Sequence, residues 1–152
     1  MDVRSSVSGS KGAALLGLRV LGIRILSGDI AYVDEGVGRT VLLLHGAPLT
    51  SLGFVRVVRA LRTRHRVVAP DLPGFGRSCA APTFDGSLSA YARSIEEFCC
   101  ALGLENFVLF GFDSSGCTGL SAAAKIRKHE NTTVGADLRI SLTELVRGRS
   151  SH

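Results

Sequence analysis

The stretch NFVLFGFDSSGCTGL, residues 106–120, sets a carboxylate, Asp113, just past an apolar run and among small residues. An acid in that place has two chemical uses. It can cap the N-terminus of a following helix, where backbone N–H groups and the helix dipole favour negative charge. It can also be a nucleophile on a sharp strand-to-helix turn. Such a turn is strained, and it brings the residues two before, two after and three after the nucleophile close to other backbone, so those residues must be small. Counted from Asp113 they are Gly111, Ser115 and Gly116, and all three fit. Counted from Ser114, the position two before is Phe112, which would clash. Sterics therefore favour Asp113 as the nucleophile, and a serine esterase using Ser114 is the weaker alternative.

A turn of that kind needs a strand before it and a helix after it, and the chain offers both repeatedly. IAYVDEG (30–36) reads as a strand entering a glycine turn, and TVLLLHG (40–46) is a continuous apolar run. A run without alternation fits a strand covered on both faces, as in a parallel sheet. Phe54, Val57, Val58 and Leu61 then fall on one helical face, with Arg56, Arg59 and Arg62 turned to solvent. RVVAPDLPG (66–74) is a further strand ending in a Pro/Gly turn. Leu88, Tyr91, Ala92, Ile95, Phe98, Cys99 and Leu102 mark a second helical stripe, with Ser87 as its N-cap and Gly103 as its stop. FVLFGF (107–112) is the third buried strand, and CTGLSAAAKIRK opens a third helix. Alternating strands and helices predict an α/β fold, a mostly parallel sheet with helices on both faces. In such sheets the chemistry sits beyond the carboxyl ends of the strands. His45–Pro48, Asp71–Ser78 and Gly111–Gly116 all lie at such ends.

Bulk properties narrow the class. The chain has 152 residues, one domain's worth, and 45% of them are hydrophobic, enough for a core. The net charge of +5 comes mostly from scattered arginines, with seven Phe and two Tyr available for stacking, so nucleic-acid binding is not expected. Cys79, Cys99, Cys100 and Cys117 lack zinc-ligand spacing and read as free thiols in a reducing compartment. Neither a metal nor a cofactor is expected. GAALLGLRVLGIRIL near the N-terminus is interrupted by Arg19 and Arg24, too short and too charged for a membrane span or a signal core. A cytoplasmic location is the expectation, with no membrane partner.

HGAP after one strand, DLPGFGRS after the next and GFDSSG after the third together resemble the α/β-hydrolase fold family. In particular they are similar to its aspartate-nucleophile branch, the haloalkane dehalogenases, epoxide hydrolases and relatives. The resemblance implies that Asp113 attacks an electrophilic carbon of a small-molecule substrate and forms an ester with it. It implies an oxyanion hole made by the backbone N–H groups of Ala47 and Ser114. His45, with Gly46 and Pro48, would then shape the first loop rather than act as base, and Gly74 and Gly76 would shape the second. Two departures leave the substrate open. Ala47 stands where many dehalogenases have Asn, and Ser114 stands where many have Trp, the pair that grips the halide.

The family order is nucleophile, acid, histidine. Only 39 residues follow Asp113, and they contain no wholly apolar strand run. His129 and His152 are the histidines there, and neither follows a late strand. The expectation is therefore the N-terminal half of a hydrolase, truncated after its nucleophile turn, with the cap and last strands missing. Residues 1–27 would be an extension with room for a first strand, 28–124 the N-terminal part of the hydrolase domain, and 125–152 an atypical polar, basic tail. Such a chain would not turn over repeatedly. A bare sheet edge also leaves room for self-association, or for a non-catalytic module that binds a partner through that edge.

Overall fold

A computed structural model of the protein describes residues 16–111 together with Ser115, Thr118, Gly119 and Ala122. Strand β1 (Val20–Ile25) turns through two residues into β2 (Gly28–Glu35), and β3 (Thr40–Leu44) follows. A 3-10 turn at Ser51–Phe54 leads into α1 (Val55–Leu61). Then come β4 (Arg66–Pro70), a two-residue β5 (Cys79–Ala80), α2 (Leu88–Ala101) and β6 (Phe107–Gly111).

The sheet runs in the order β1-β2-β4-β3-β6, with β5 beside one end of β2. Its two halves differ in direction. β3 lies parallel to β4 and to β6, with Leu42 opposite Val68 on one side and Leu109 on the other. β1, β4 and β5 are all antiparallel to β2. The sheet is thus mixed, and only its site-bearing half is parallel as expected. For β1 and β2 the cause is chain length. No helix separates β1 from β2, and a two-residue connection can join strands only as an antiparallel hairpin.

Both faces of the parallel half are covered, which explains its unbroken apolar sequence. Leu42, Leu44 and Val68 face α2, where Ala92, Ile95, Phe98 and Cys99 close the core. Val41, Leu43, Val67 and Ala69 face the other way, onto Val58 and Leu61 of α1. Phe98 is 2% exposed and meets Tyr32 edge-on at 5.3 Å. Burying a ring of that size contributes about 2–3 kcal/mol.

α2 begins and ends as its sequence directs. The Ser87 Oγ accepts from Ala90 N–H at 3.1 Å, capping the first turn. At the other end, Gly103 takes φ +59 while Leu104 N–H reaches back to the Cys99 carbonyl at 2.9 Å. This is a Schellman closure, with the left-handed residue a glycine and the next one a buried leucine. Leu88 departs from the expected stripe. It is 64% exposed, at the first residue of the helix.

Candidate active site

The carboxyl ends of β3, β4 and β6 meet on one rim. At the end of β3, His45 is fully buried and both its nitrogens are engaged. Nε2 accepts from the Leu72 backbone N–H at 2.9 Å, and Nδ1 lies 3.0 Å from the Gly46 carbonyl. The first contact leaves Nε2 without a hydrogen, so Nδ1 is the donor. The Phe75 ring stands edge-on to the imidazole at 5.6 Å. His45 thus ties the first loop to the second and has no nitrogen to spare for a reacting molecule.

Past His45 the chain swings outward. Gly46 is buried, its carbonyl accepting from Leu49 N–H at 2.8 Å, while Ala47 and Pro48 are exposed. Among the described residues the Ala47 N–H has no hydrogen-bond partner. An unengaged backbone donor in such a loop is available to a developing negative charge.

The second loop carries two residues that sequence reasoning left without a role, Asp71 and Arg77. Asp71 is fully buried at the end of β4. Its Oδ1 accepts from Ser51 N–H at 2.7 Å, and its Oδ2 accepts from Arg77 N–H at 3.0 Å and Nε at 3.1 Å. Arg77 Nη2 bridges onward to Ser51 Oγ at 3.0 Å. A buried carboxylate persists only with such full pairing. Gly76 makes room for it. At φ +55, a Cβ there would stand 2.7 Å from the Asp71 carboxyl carbon. Ser78 closes the loop, its Oγ donating to the Asp71 carbonyl at 2.6 Å and accepting from Ala31 N–H at 2.9 Å. The readable signal was an acid and an arginine of opposite charge bracketing a glycine-rich turn.

At the third loop, Gly111 ends β6 directly opposite Leu44. Ser115 is buried, and its Oγ donates to the Leu44 carbonyl at 2.8 Å, which ties Ser115 to the end of β3. A Cβ on Gly119 would lie 3.1 Å from both Leu44 and Leu109 side chains, so Gly119 rests close against the sheet. Asp113, Ser114 and Gly116 lie outside the described residues, as do Cys117, His129 and His152.

Ala47, Leu72, Phe75, Leu88, Tyr91, Ser115 and Thr118 enclose a pocket of about 70 Å³. It therefore draws walls from all three loops and from α2. Its lining is largely apolar. Partial burial raises the Tyr91 phenol above its ordinary pKa, and its hydroxyl donates to the Pro73 carbonyl at 3.3 Å. Among the described residues no cluster of His, Cys, Asp and Glu has metal-binding geometry, and no helix is long and apolar enough to cross a membrane.

Residues 39–134 match the family model described as alpha/beta hydrolase fold. The chain belongs to that family. Its relatives include haloalkane dehalogenase 2 of Mycobacterium tuberculosis strain H37Rv, 41% identical over 98 residues, which are 64% of this chain and 34% of that one. A solved structure from Pseudomonas aeruginosa, provisionally named an epoxide hydrolase, matches at TM-score 0.64 with 31% identity, covering 72% of this chain and 37% of that one. An N-acyl homoserine lactonase variant complexed with N-hexanoyl homoserine matches at TM-score 0.68 with 29% identity, covering 73% and 42%. The hydrolase-fold chain thus spans about a third of the dehalogenase's length. The three relatives carry names from three reaction classes, so likeness of fold does not choose the substrate.

Proposed function

We propose that this chain carries the nucleophile half of a hydrolase acting on a small apolar electrophile, with Asp113 as the attacking group. An Asp113 carboxylate oxygen bonds to the substrate carbon. In a haloalkane the carbon–halogen bond breaks and the halide leaves with the electron pair. In an epoxide the ring C–O bond breaks and the oxygen takes up a proton from water. Either way an ester of Asp113 results. The observation that carries this reading is Ala47, whose N–H has no partner among the described residues, lining the same small apolar pocket as Ser115, two residues past Asp113. That N–H, together with the Ser114 N–H, would hold the oxyanion when the ester is later attacked at its carbonyl.

His45 is committed to Leu72 and Gly46, His65 precedes β4 at the end opposite the rim, and His129 and His152 follow no apolar strand run. An activated water is needed to cleave the ester. The 152-residue chain is therefore expected to react once and hold its product.

The test is mass spectrometry of the purified chain after exposure to 1-bromohexane and, separately, to styrene oxide. The expected result is one adduct, mapped to Asp113 and absent in Asp113→Asn. Likeness to a lactonase favours ester chemistry as a second reading, so a p-nitrophenyl ester belongs in the same experiment. An acyl group on Ser114, with Asp113 unmodified throughout, would replace the first reading with the second. Steady product release would refute the single-turnover expectation.

A further inference from the structure

The Ala47 N–H can stabilise an oxyanion only if its loop stands still, since such donors act by being fixed before the charge appears. What fixes this loop is visible. The segment Gly46–Phe54 leaves β3 and has few sheet bonds of its own. Leu49 N–H is bonded to Gly46 and Gly53 N–H to Thr50, both within the segment. The long-range side-chain tie to its backbone is Ser51 N–H on Asp71 Oδ1, at 2.7 Å. The carboxylate making that tie is fully buried and held by Arg77 through its backbone N–H, its Nε and its Nη2. Arg77 also grips the hydroxyl of the same Ser51, so the pair takes this residue by backbone and side chain at once. Gly76 lies so close to the carboxyl group that a Cβ there would overlap it.

We infer that the Asp71–Arg77 pair is a positioning device for the Ala47 N–H, setting the oxyanion donor of the reaction proposed above. Asp71 is not itself the attacking acid. Each carboxylate oxygen already accepts at least one N–H, and the group is sealed from solvent. Alkylation of Asp113 develops no oxyanion at the Asp113 carbonyl, whereas attack on the resulting ester does. Loosening the pair should therefore leave the first step intact and slow the second.

The experiment uses the full chain, Asp71→Asn, and the milder Arg77→Lys, which keeps the charge but loses the planar fork. Amide exchange is read first. At Leu49, Ser51 and Gly53 it should quicken at least about tenfold in Asp71→Asn and less in Arg77→Lys, while Val41–Leu44 keep their protection. Unchanged exchange at all three loop amides, or equal loss across the whole sheet in both variants, overturns the inference.

The second reading is chemical. The Asp113 ester formed with 1-bromohexane is treated with hydroxylamine. Its nitrogen adds to the ester carbonyl, the C–O bond breaks, hexanol leaves with a proton from the nitrogen, and Asp113 becomes a hydroxamate. The rate of ester formation should stay within about twofold, while hydroxylamine cleavage slows at least about tenfold. A loosened loop with unchanged cleavage overturns the link to the oxyanion. A wild-type chain that takes no label on Asp113 removes the nucleophile reading instead, and the exchange measurement still decides whether the pair positions the loop.

Discussion

Two arginine–aspartate pairs, one at the hairpin and one at the site rim, have nearly the same spacing and opposite standing. Arg24 and Asp29 face each other across β1 and β2 at 2.6 Å, and Arg77 meets Asp71 at 3.0 Å. The hairpin pair is the shorter, yet its side chains are 81% and 54% exposed, against 18% and 0% at the rim. Water already solvates the first pair and screens it. The second is largely out of water, and Asp71 left alone would be an uncompensated buried charge. Hydrogen bonding to Asp29 holds Arg24 above its ordinary pKa, but on a fully exposed group that shift says little about stability. Burial and connectivity, rather than distance, decide which pair matters.

Asp71→Ala should show the largest effect. Removing one partner of a buried pair costs about 3–5 kcal/mol, read as a lower midpoint in urea, and a loss under about 1 kcal/mol would erase the contrast. Gly76→Ala comes next, because it forces a Cβ both into a left-handed backbone and against the Asp71 carboxyl. A loss of about 1–3 kcal/mol is expected by the same measurement. Ser87→Ala, which removes only the α2 cap, should cost about 1 kcal/mol.

Cys99 sharpens the same point with a titration. Burial in the α2 core pushes its thiol from 9.0 up to about 12. Below pH 9 the thiol is protonated in folded and unfolded chains alike and has no effect. Between pH 9 and about 12 the unfolded chain releases the proton while the folded one keeps it, so stability should decline over that window. Cys99→Ala should lack this part of the decline. In the native chain at pH 8, a maleimide should label the exposed Cys79 and Cys100 and leave Cys99 untouched. At the bottom of the scale, Arg24→Ala should leave the midpoint unmoved. A shift approaching that of Asp71→Ala would reverse the comparison between the two pairs.

Much of the scaffold was legible because local rules and tertiary packing agree there. The unbroken TVLLL run is buried on both faces, and Ser87 and Gly103 bound α2 as a cap and a stop should. His45 was expected to shape its loop, a role now proposed from two engaged nitrogens. What escaped is non-local. Nothing in the periodicity of VLGIRI or GDIAYVDE states which neighbour it pairs with, so the antiparallel half was hidden. Cys79–Ala80 is too short, and too exposed, to show any pattern at all. Leu88 fits a helical stripe by spacing alone, yet at the first helical residue it stays exposed. Asp71 and Arg77 sit six residues apart, and only the closure around Gly76 brings their charges together. Asp113, the proposed nucleophile, lies outside the described residues, and Gly111 and Ser115 are its nearest described neighbours on either side.

Phe75 has a duty on each side. One edge is set against the imidazole that ties two loops together, and its ring also walls the pocket next to Tyr91. Shaving that wall to admit a bulkier guest would also slacken the knot behind it. Leu88, on the opposite lip and mostly in water, carries no second obligation of that kind. Variation in which molecules are accepted should therefore accumulate at the rim before it reaches the floor.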